Sequence, residues 1–169
     1  MLLSLAAYAH ASAAPEAEAR LLQRQPALKV REPVQRNPLF ALTQIQRRLF
    51  AVGAYGLLLV SDDEGKSWRQ IPLPVDLTLT SIYFRNERQG WIGGHEALLM
   101  GTNDGGATWS VIHHDAASSP ILKIWYSERN GGFAIGGNST MFRTRDGKRW
   151  KRRDLVAEND DGFGPHLFR

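Results

Sequence analysis

The strings "SDDEGKSW" at Ser61 to Trp68, "TNDGGATW" at Thr102 to Trp109 and "TRDGKRW" at Thr144 to Trp150 end on tryptophans spaced 41 residues apart. A turn motif that returns at fixed spacing constrains the chain more than its 169 residues do, since length alone suggests one ordinary domain. Such self-similarity marks a repeat array, in which each unit buries its apolar faces on its neighbours. The period extends well beyond the octamer. "LFALTQIQRRLFAVGAYGLLLVSDDEGKSWRQIPL" from Leu39 aligns with "LTSIYFRNERQGWIGGHEALLMGTNDGGATWSVIH" from Leu79 and "ILKIWYSERNGGFAIGGNSTMFRTRDGKRWKRRDL" from Ile121.

Each copy reads as four short strands rich in β-branched, aromatic and leucine residues, separated by Gly, Asn or Asp turns. In the second copy they run from Leu79 to Arg85, Gly90 to Gly94, Ala97 to Thr102 and Thr108 to His113, and no helix fits between them. Four antiparallel strands per unit is the arithmetic of a propeller blade. The expected fold is all-β, a β-propeller with about three four-stranded antiparallel blades over residues 39–75, 79–115 and 120–156, and the start of a fourth at 165. Closed propellers take about four to eight blades, so the expected ring is incomplete. "HLFR" at His166 to Arg169 resembles "PLFAL" at Pro38, which reads as a truncated array, the alternative being self-association that completes a ring.

The octamer has a mechanical explanation. In S/T-x-D-x-G-x-x-W, the hydroxyl (Ser61, Thr102, Thr144) and carboxylate (Asp63, Asp104, Asp146) can bond the backbone of a tight turn. Gly65, Gly106 and Gly147 supply a positive φ, and Trp68, Trp109 and Trp150 open the last strand and bury a ring beneath the hairpin. The third copy is one residue short between Asp146 and Gly147.

On these residues the chain resembles the Asp-box, or BNR, repeat of β-propellers such as sialidases, sortilin-type receptors and xyloglucan hydrolases. "GWIGGHEALLMGTNDGGATW" from Gly90 to Trp109 is more closely similar to the photosystem II stability and assembly factor branch. The resemblance runs from Leu39 to Arg169 and implies an exported, non-catalytic propeller that binds protein, with photosynthesis as the setting of some members. The alternative is part of a carbohydrate-active, glycoside hydrolase or sialidase-like Asp-box propeller whose catalytic residues lie on blades outside this sequence.

The N-terminus bears on compartment. Residues 1–14, MLLSLAAYAHASAA, carry no Asp, Glu, Lys or Arg and contain small-x-small steps, as a signal peptide does, although a basic start is missing. Export to the periplasm is the expectation. Residues 15–38, with four prolines and room for a short helix only at Glu16 to Gln25, read as a leader. No cysteine is present, which excludes disulfides, a thiolate nucleophile and Cys-based metal sites.

Catalytic, cofactor and metal sites are all expected to be absent. Asp63, Asp104 and Asp146 have turn duties in separate blades, whereas glycoside hydrolysis needs two carboxyls facing one sugar at about 5–10 Å. The sialidase Arg-Ile-Pro stretch is missing, "QIPLP" at Gln70 to Pro74 lacking its arginine, and Tyr55, Tyr83 and Tyr126 fall inside apolar strand patterns. "HHD" at His113 to Asp115 and "HE" at His95 and Glu96 have no cognate third ligand at metal-binding spacing.

The remaining signal is "RTRDGKRWKRR" from Arg143 to Arg153, seven basic residues against one acidic. Lys151 and Arg153 should share one face of the outer strand while Arg152 points to the other. A charged outer edge discourages pairing with other chains. The functional reading makes Arg143, Arg145, Lys148, Arg149, Lys151, Arg152 and Arg153 a docking patch for an acidic or membrane-associated protein partner. Strands "WRQIPL" and "WSVIHH" are not basic, so the patch belongs to one blade; for an exported chain, nucleic acid is not the expected partner.

Overall fold

The structure, a computed structural model, describes residues 37–153. Residues 1–36 and 154–169, which carry the expected signal peptide, leader and fourth-unit start, lie outside the described residues. The described chain forms three four-stranded antiparallel sheets in sequence order. The first contains β1 (Leu39–Ile45), β2 (Arg48–Gly53), β3 (Leu58–Ser61) and β4 (Arg69–Gln70). The second contains β5 (Leu79–Phe84), β6 (Gly90–Gly94), β7 (Leu99–Thr102) and β8 (Ser110–His113), and the third β9 (Ile121–Ser127), β10 (Gly131–Gly136), β11 (Met141–Thr144) and β12 (Lys151–Arg152). Each sheet is a meander, with β5 packed against both β1 and β9. No closed ring is formed among the described residues.

Strand alternation decides which seam each side chain fills, since successive residues point to opposite faces. In β6, Ile92 joins the first seam with Phe50, Val52, Leu58, Val60, Ile82 and Phe84, while its neighbour Trp91 joins the second with Leu99, Ile121, Ile124, Tyr126 and Phe142. The middle blade is therefore buried on both faces, unlike an antiparallel sheet with one wet face. The linker between the first and second blades also enters the first seam through Ile71, Leu73, Val75 and Leu77.

Polar contacts fix the seams in register. The Ser81 hydroxyl accepts from the Ile124 amide at 3.1 Å, and the Tyr83 hydroxyl donates to the Tyr126 carbonyl at 2.9 Å. Arg85 pairs with Glu128 across the second seam and lies over the Tyr126 ring, 4.4 Å from its centroid. Arg48 reaches across the first seam to the Gly105 carbonyl at 2.8 Å.

Tyr55 departs from the strand placement expected for it. It occupies a 3-10 turn, Ala54–Gly56, at φ 56° and is exposed, because the chain must reverse between β2 and β3. Tyr83 and Tyr126 lie in β5 and β9.

Candidate functional site

The three Asp-box turns are built from the same bonds. In the first blade Ser61 Oγ donates to Asp63 Oδ1 at 2.7 Å and accepts from the Gly65 amide at 2.8 Å. Asp63 in turn receives the Ser67 amide at 2.8 Å and the Ser67 hydroxyl at 2.6 Å. Thr102, Asp104, Gly106 and Thr108 repeat this in the second blade, with 2.7 Å from Thr102 Oγ1 to Asp104 and 2.9 Å from the Gly106 amide to Thr102. Gly65 and Gly106 sit at φ 90° and 84°. Ser67 and Thr108 are members of the turn that a reading of Ser/Thr, Asp, Gly and Trp alone misses; the signal was a hydroxyl residue immediately before Trp68 and Trp109.

The shortened third turn keeps the plan with a substitute. Thr144 Oγ1 donates to Asp146 at 3.1 Å, and Asp146 Oδ1 collects the Lys148 and Arg149 amides, both at 2.9 Å. Gly147 holds φ 72°, and the place of the serine or threonine hydroxyl is taken by the Arg149 guanidinium, 3.4 Å from Asp146 Oδ2. Hydrogen bonds to the ionised form lower a carboxyl pKa. The Ser67 hydroxyl and amide hold Asp63 down to about 2, Thr108 does the same for Asp104, and the Arg149 and Lys148 amides push Asp146 well below the usual range. All three carboxylates are thus occupied by their own turns, on three different blades.

The tryptophans are not equivalent. Trp109 is 9% exposed and meets Phe84 edge-on, and Trp150 packs on Trp91 at 5.6 Å between ring centroids. Trp68, expected to be buried like the others, is 40% exposed. Its indole N–H still donates to the Gly65 carbonyl at 3.1 Å, but among the described residues no preceding blade covers its face. Each buried turn rests on an aromatic ring of the blade before it: a Cβ on Gly106 would lie 2.9 Å from Phe50, and one on Gly147 2.7 Å from Trp91.

The histidine pairs do not converge. His114 Nε2 lies 2.7 Å from Glu96 Oε2, whereas the His113 ring packs on Phe142, where burial pushes its pKa down. Asp115 accepts from the Ala117 amide at 3.1 Å and from the Ser118 hydroxyl. No cluster of three or more metal-ligating side chains occurs among the described residues.

The basic run does converge. Arg143, Arg145, Arg149, Lys151 and Arg153 line one cleft of about 470 Å³ together with Thr144 and Asp146. Arg143 lies over the Phe133 ring, 5.4 Å from its centroid. Arg152 projects away and donates to Ser118 Oγ at 3.2 Å. Lys148 is exposed beside the turn, outside the cleft lining. The one carboxylate in the cleft, Asp146, is already held by its turn, so the lining presents a strongly positive field to an incoming ligand.

Comparison with known proteins agrees with this architecture. Residues 66–120 match the family model described as Photosynthesis system II assembly factor YCF48. The chain is 35% identical over 126 residues to the photosystem II assembly lipoprotein Ycf48 of Synechococcus sp. (strain CC9902), covering 71% of this chain and 35% of that protein. Over 47 residues it is 40% identical to the chloroplastic photosystem II stability/assembly factor HCF136 of Cyanidioschyzon merolae (strain NIES-3377 / 10D), covering 27% of this chain and 11% of that one. Among solved structures, YCF48 bound to D1 peptide superposes with a TM-score of 0.61 at 25% identity, over 76% of this chain and 43% of that one. YCF48 from Cyanidioschyzon merolae, with a TM-score of 0.61 and 18% identity over 82% and 46% of the two chains, shares the fold. The chain spans about a third of the first relative's length and under half of each solved chain.

Proposed function

We propose that this chain, a photosystem II assembly factor-like Asp-box propeller by its repeats and its blade geometry, is an exported, non-catalytic scaffold that binds an acidic segment of a partner protein during photosystem assembly. The observation that carries the reading is the cleft of the third blade, where five cationic side chains face one carboxylate already engaged by its own turn. Guanidinium groups suit such a role because their planar donors engage carboxylates two at a time. The arrangement is specific to one blade: the position of Arg143 is held by Gly101 in the second and Val60 in the first, in matching strand register. A rigid repeat thereby acquires a site through substitutions that its own folding does not require. The solved relative bound to a D1 peptide supports peptide capture as a mode open to this architecture. Export is supported by the lipoprotein nature of the Synechococcus relative.

Binding of an acidic peptide and its charge-neutral counterpart to the full chain, followed by fluorescence anisotropy at low salt, tests this reading. Replacing Arg145, Lys151 and Arg153 by serine should weaken acidic-peptide binding at least tenfold and flatten its salt dependence. Equal binding of the two peptides, or no effect of the replacements, would sink the proposal.

A further inference from the structure

The outer edge of the second seam holds a histidine that neither the Asp-box turns nor the cleft uses. His113 pairs with Leu99 in β7, and its ring packs on Phe142 of β11 with 4.6 Å between centroids. Its Nε2 is sealed from solvent and meets no hydrogen-bond partner among the described residues. Phe142 in turn pairs with Arg152, so the β12 guanidinium shares the side of the third blade that meets His113. Strand β12 is short. Within its own sheet it is held by the pairs Phe142–Arg152 and Arg143–Lys151 and by the Arg153 amide, which donates to the Met141 carbonyl at 2.8 Å. Its tie to the linker leaving β8 runs from Arg152 to Ser118 Oγ at 3.2 Å, and from the Ser118 hydroxyl on to Asp115, two residues from His113.

We infer that this edge is a proton-operated joint: when His113 takes up a proton, Asp115 is drawn from Ser118 to the imidazolium, and β12 comes away from the second blade. An imidazolium presents two N–H donors, and here one of them points where no oxygen accepts it. The Phe142 ring attracts a cation only weakly, whereas a charged donor kept buried without an acceptor is costly. Burial disfavours the charged ring, Asp115 favours it, and His114 and Arg152 oppose it; burial outweighs the carboxylate and holds the folded pKa below the ordinary value near 6.5. Glu96 is engaged elsewhere, its Oε2 2.7 Å from His114 Nε2, a contact that ties the β6–β7 turn to the same linker. The open joint therefore binds the proton more tightly than the closed one. Closure is whole above the ordinary value near 6.5 and is lost as pH falls from there through the closed form's lower midpoint. Lys151 and Arg153 line the basic cleft from this same strand, so opening moves two of its cations. The joint itself needs no ligand, so it and peptide capture succeed or fail separately.

NMR of the full chain between about pH 7.5 and about pH 5 tests the joint. It reads the titration of the His113 ring and, at each pH, the exchange protection of the Ser118 and Arg153 amides relative to their intrinsic rates. His113 should titrate below the ordinary value near 6.5. Both amides should lose protection with that same midpoint, by about tenfold for each pH unit by which the closed midpoint lies below the open one. His113→Phe should keep their protection constant across the range, and His114→Gln should respond as the parent does. This window lies well above the range in which the Asp-box carboxylates titrate, so the two acid responses separate. Protection at Ser118 and Arg153 that stays flat while the parent's His113 titrates would overturn the inference without recourse to any variant. An equal loss of protection in His113→Phe would overturn it too, as would a His113 midpoint at or above the ordinary value.

Discussion

The indole N–H of Trp91, in the second blade, donates to the carbonyl oxygen of Gly147 in the third at 3.0 Å, and the ring stacks on Tyr126 with 5.4 Å between centroids. One side chain thus ties the central strand of a blade to the Asp-box turn of the next. Gly147 can approach because it has no Cβ: at φ 72° an added one would lie 2.7 Å from Trp91 Cζ2 and 3.0 Å from Gln89 Nε2. Gly147→Ala should therefore lower unfolding free energy by about 1–3 kcal/mol. Trp91→Phe, which keeps a ring but loses the donor, should cost about 1 kcal/mol or more. Chemical denaturation measures both, and a Gly147→Ala protein as stable as the parent would contradict this account of the seam.

Ser81 makes a subtler cross-seam link. Its hydroxyl, 4% exposed, receives the Ile124 amide, which belongs to a strand whose other side pairs with β10. Ser81→Ala removes almost no volume but leaves a buried N–H without its acceptor, a loss of about 1–3 kcal/mol. Amide hydrogen exchange should show Ile124 losing protection before the rest of β9. Uniform loss across the strand would mean that the bond does not hold the seam locally.

The Asp-box tryptophans should differ in their contribution to stability although their octamers nearly coincide. Trp109→Ala, in the buried first seam, should cost about 3–5 kcal/mol. Trp68→Ala removes a ring that is 40% exposed and should cost about 1–2 kcal/mol. Equal losses in thermal and denaturant unfolding would show that the turn itself, rather than the covering blade, sets the stabilisation.

Acid sensitivity should follow the turn carboxylates. Asp63 and Asp104 have folded pKa values of about 2, below the ordinary value near 3.8. A depressed carboxyl binds its proton more weakly in the folded state than in the unfolded one, so its stabilisation is present above about pH 4 and is lost as pH falls toward 2. Asp104→Asn should lower stability at neutral pH and reduce the fall in stability between pH 4 and 2. Parallel pH curves for parent and variant, read by circular dichroism, would show that the Thr108 and Thr102 bonds to Asp104 add nothing to folding.

Much of the local structure was legible in the linear chain. The 41-residue spacing is read directly along the chain, the meander of four strands closes within each repeat, and the hydroxyl-to-carboxylate bonds of each turn join residues two apart. Gly147 takes a positive φ in a turn shortened by one residue because its Thr144 and Asp146 partners remain within reach. Alternation in "RWKRR" likewise separates Lys151 and Arg153 from Arg152, since a strand reverses its side chains at every step.

Tertiary structure decided what these segments meet. Two nearly identical octamers place Trp68 in solvent and Trp109 in a core, because burial depends on the neighbouring blade and not on the turn. Tyr55 was indistinguishable by apolar context from Tyr83, yet one lies in a left-handed turn and the other spans a seam. The sequence alone determined the repeated blade and its stapled turn, whose bonds close within a few residues. Only packing determined that Gly147 would rest on Trp91 and that Arg85 would pair with Glu128, because those contacts join residues far apart in the chain through sheets whose mutual placement no short segment encodes.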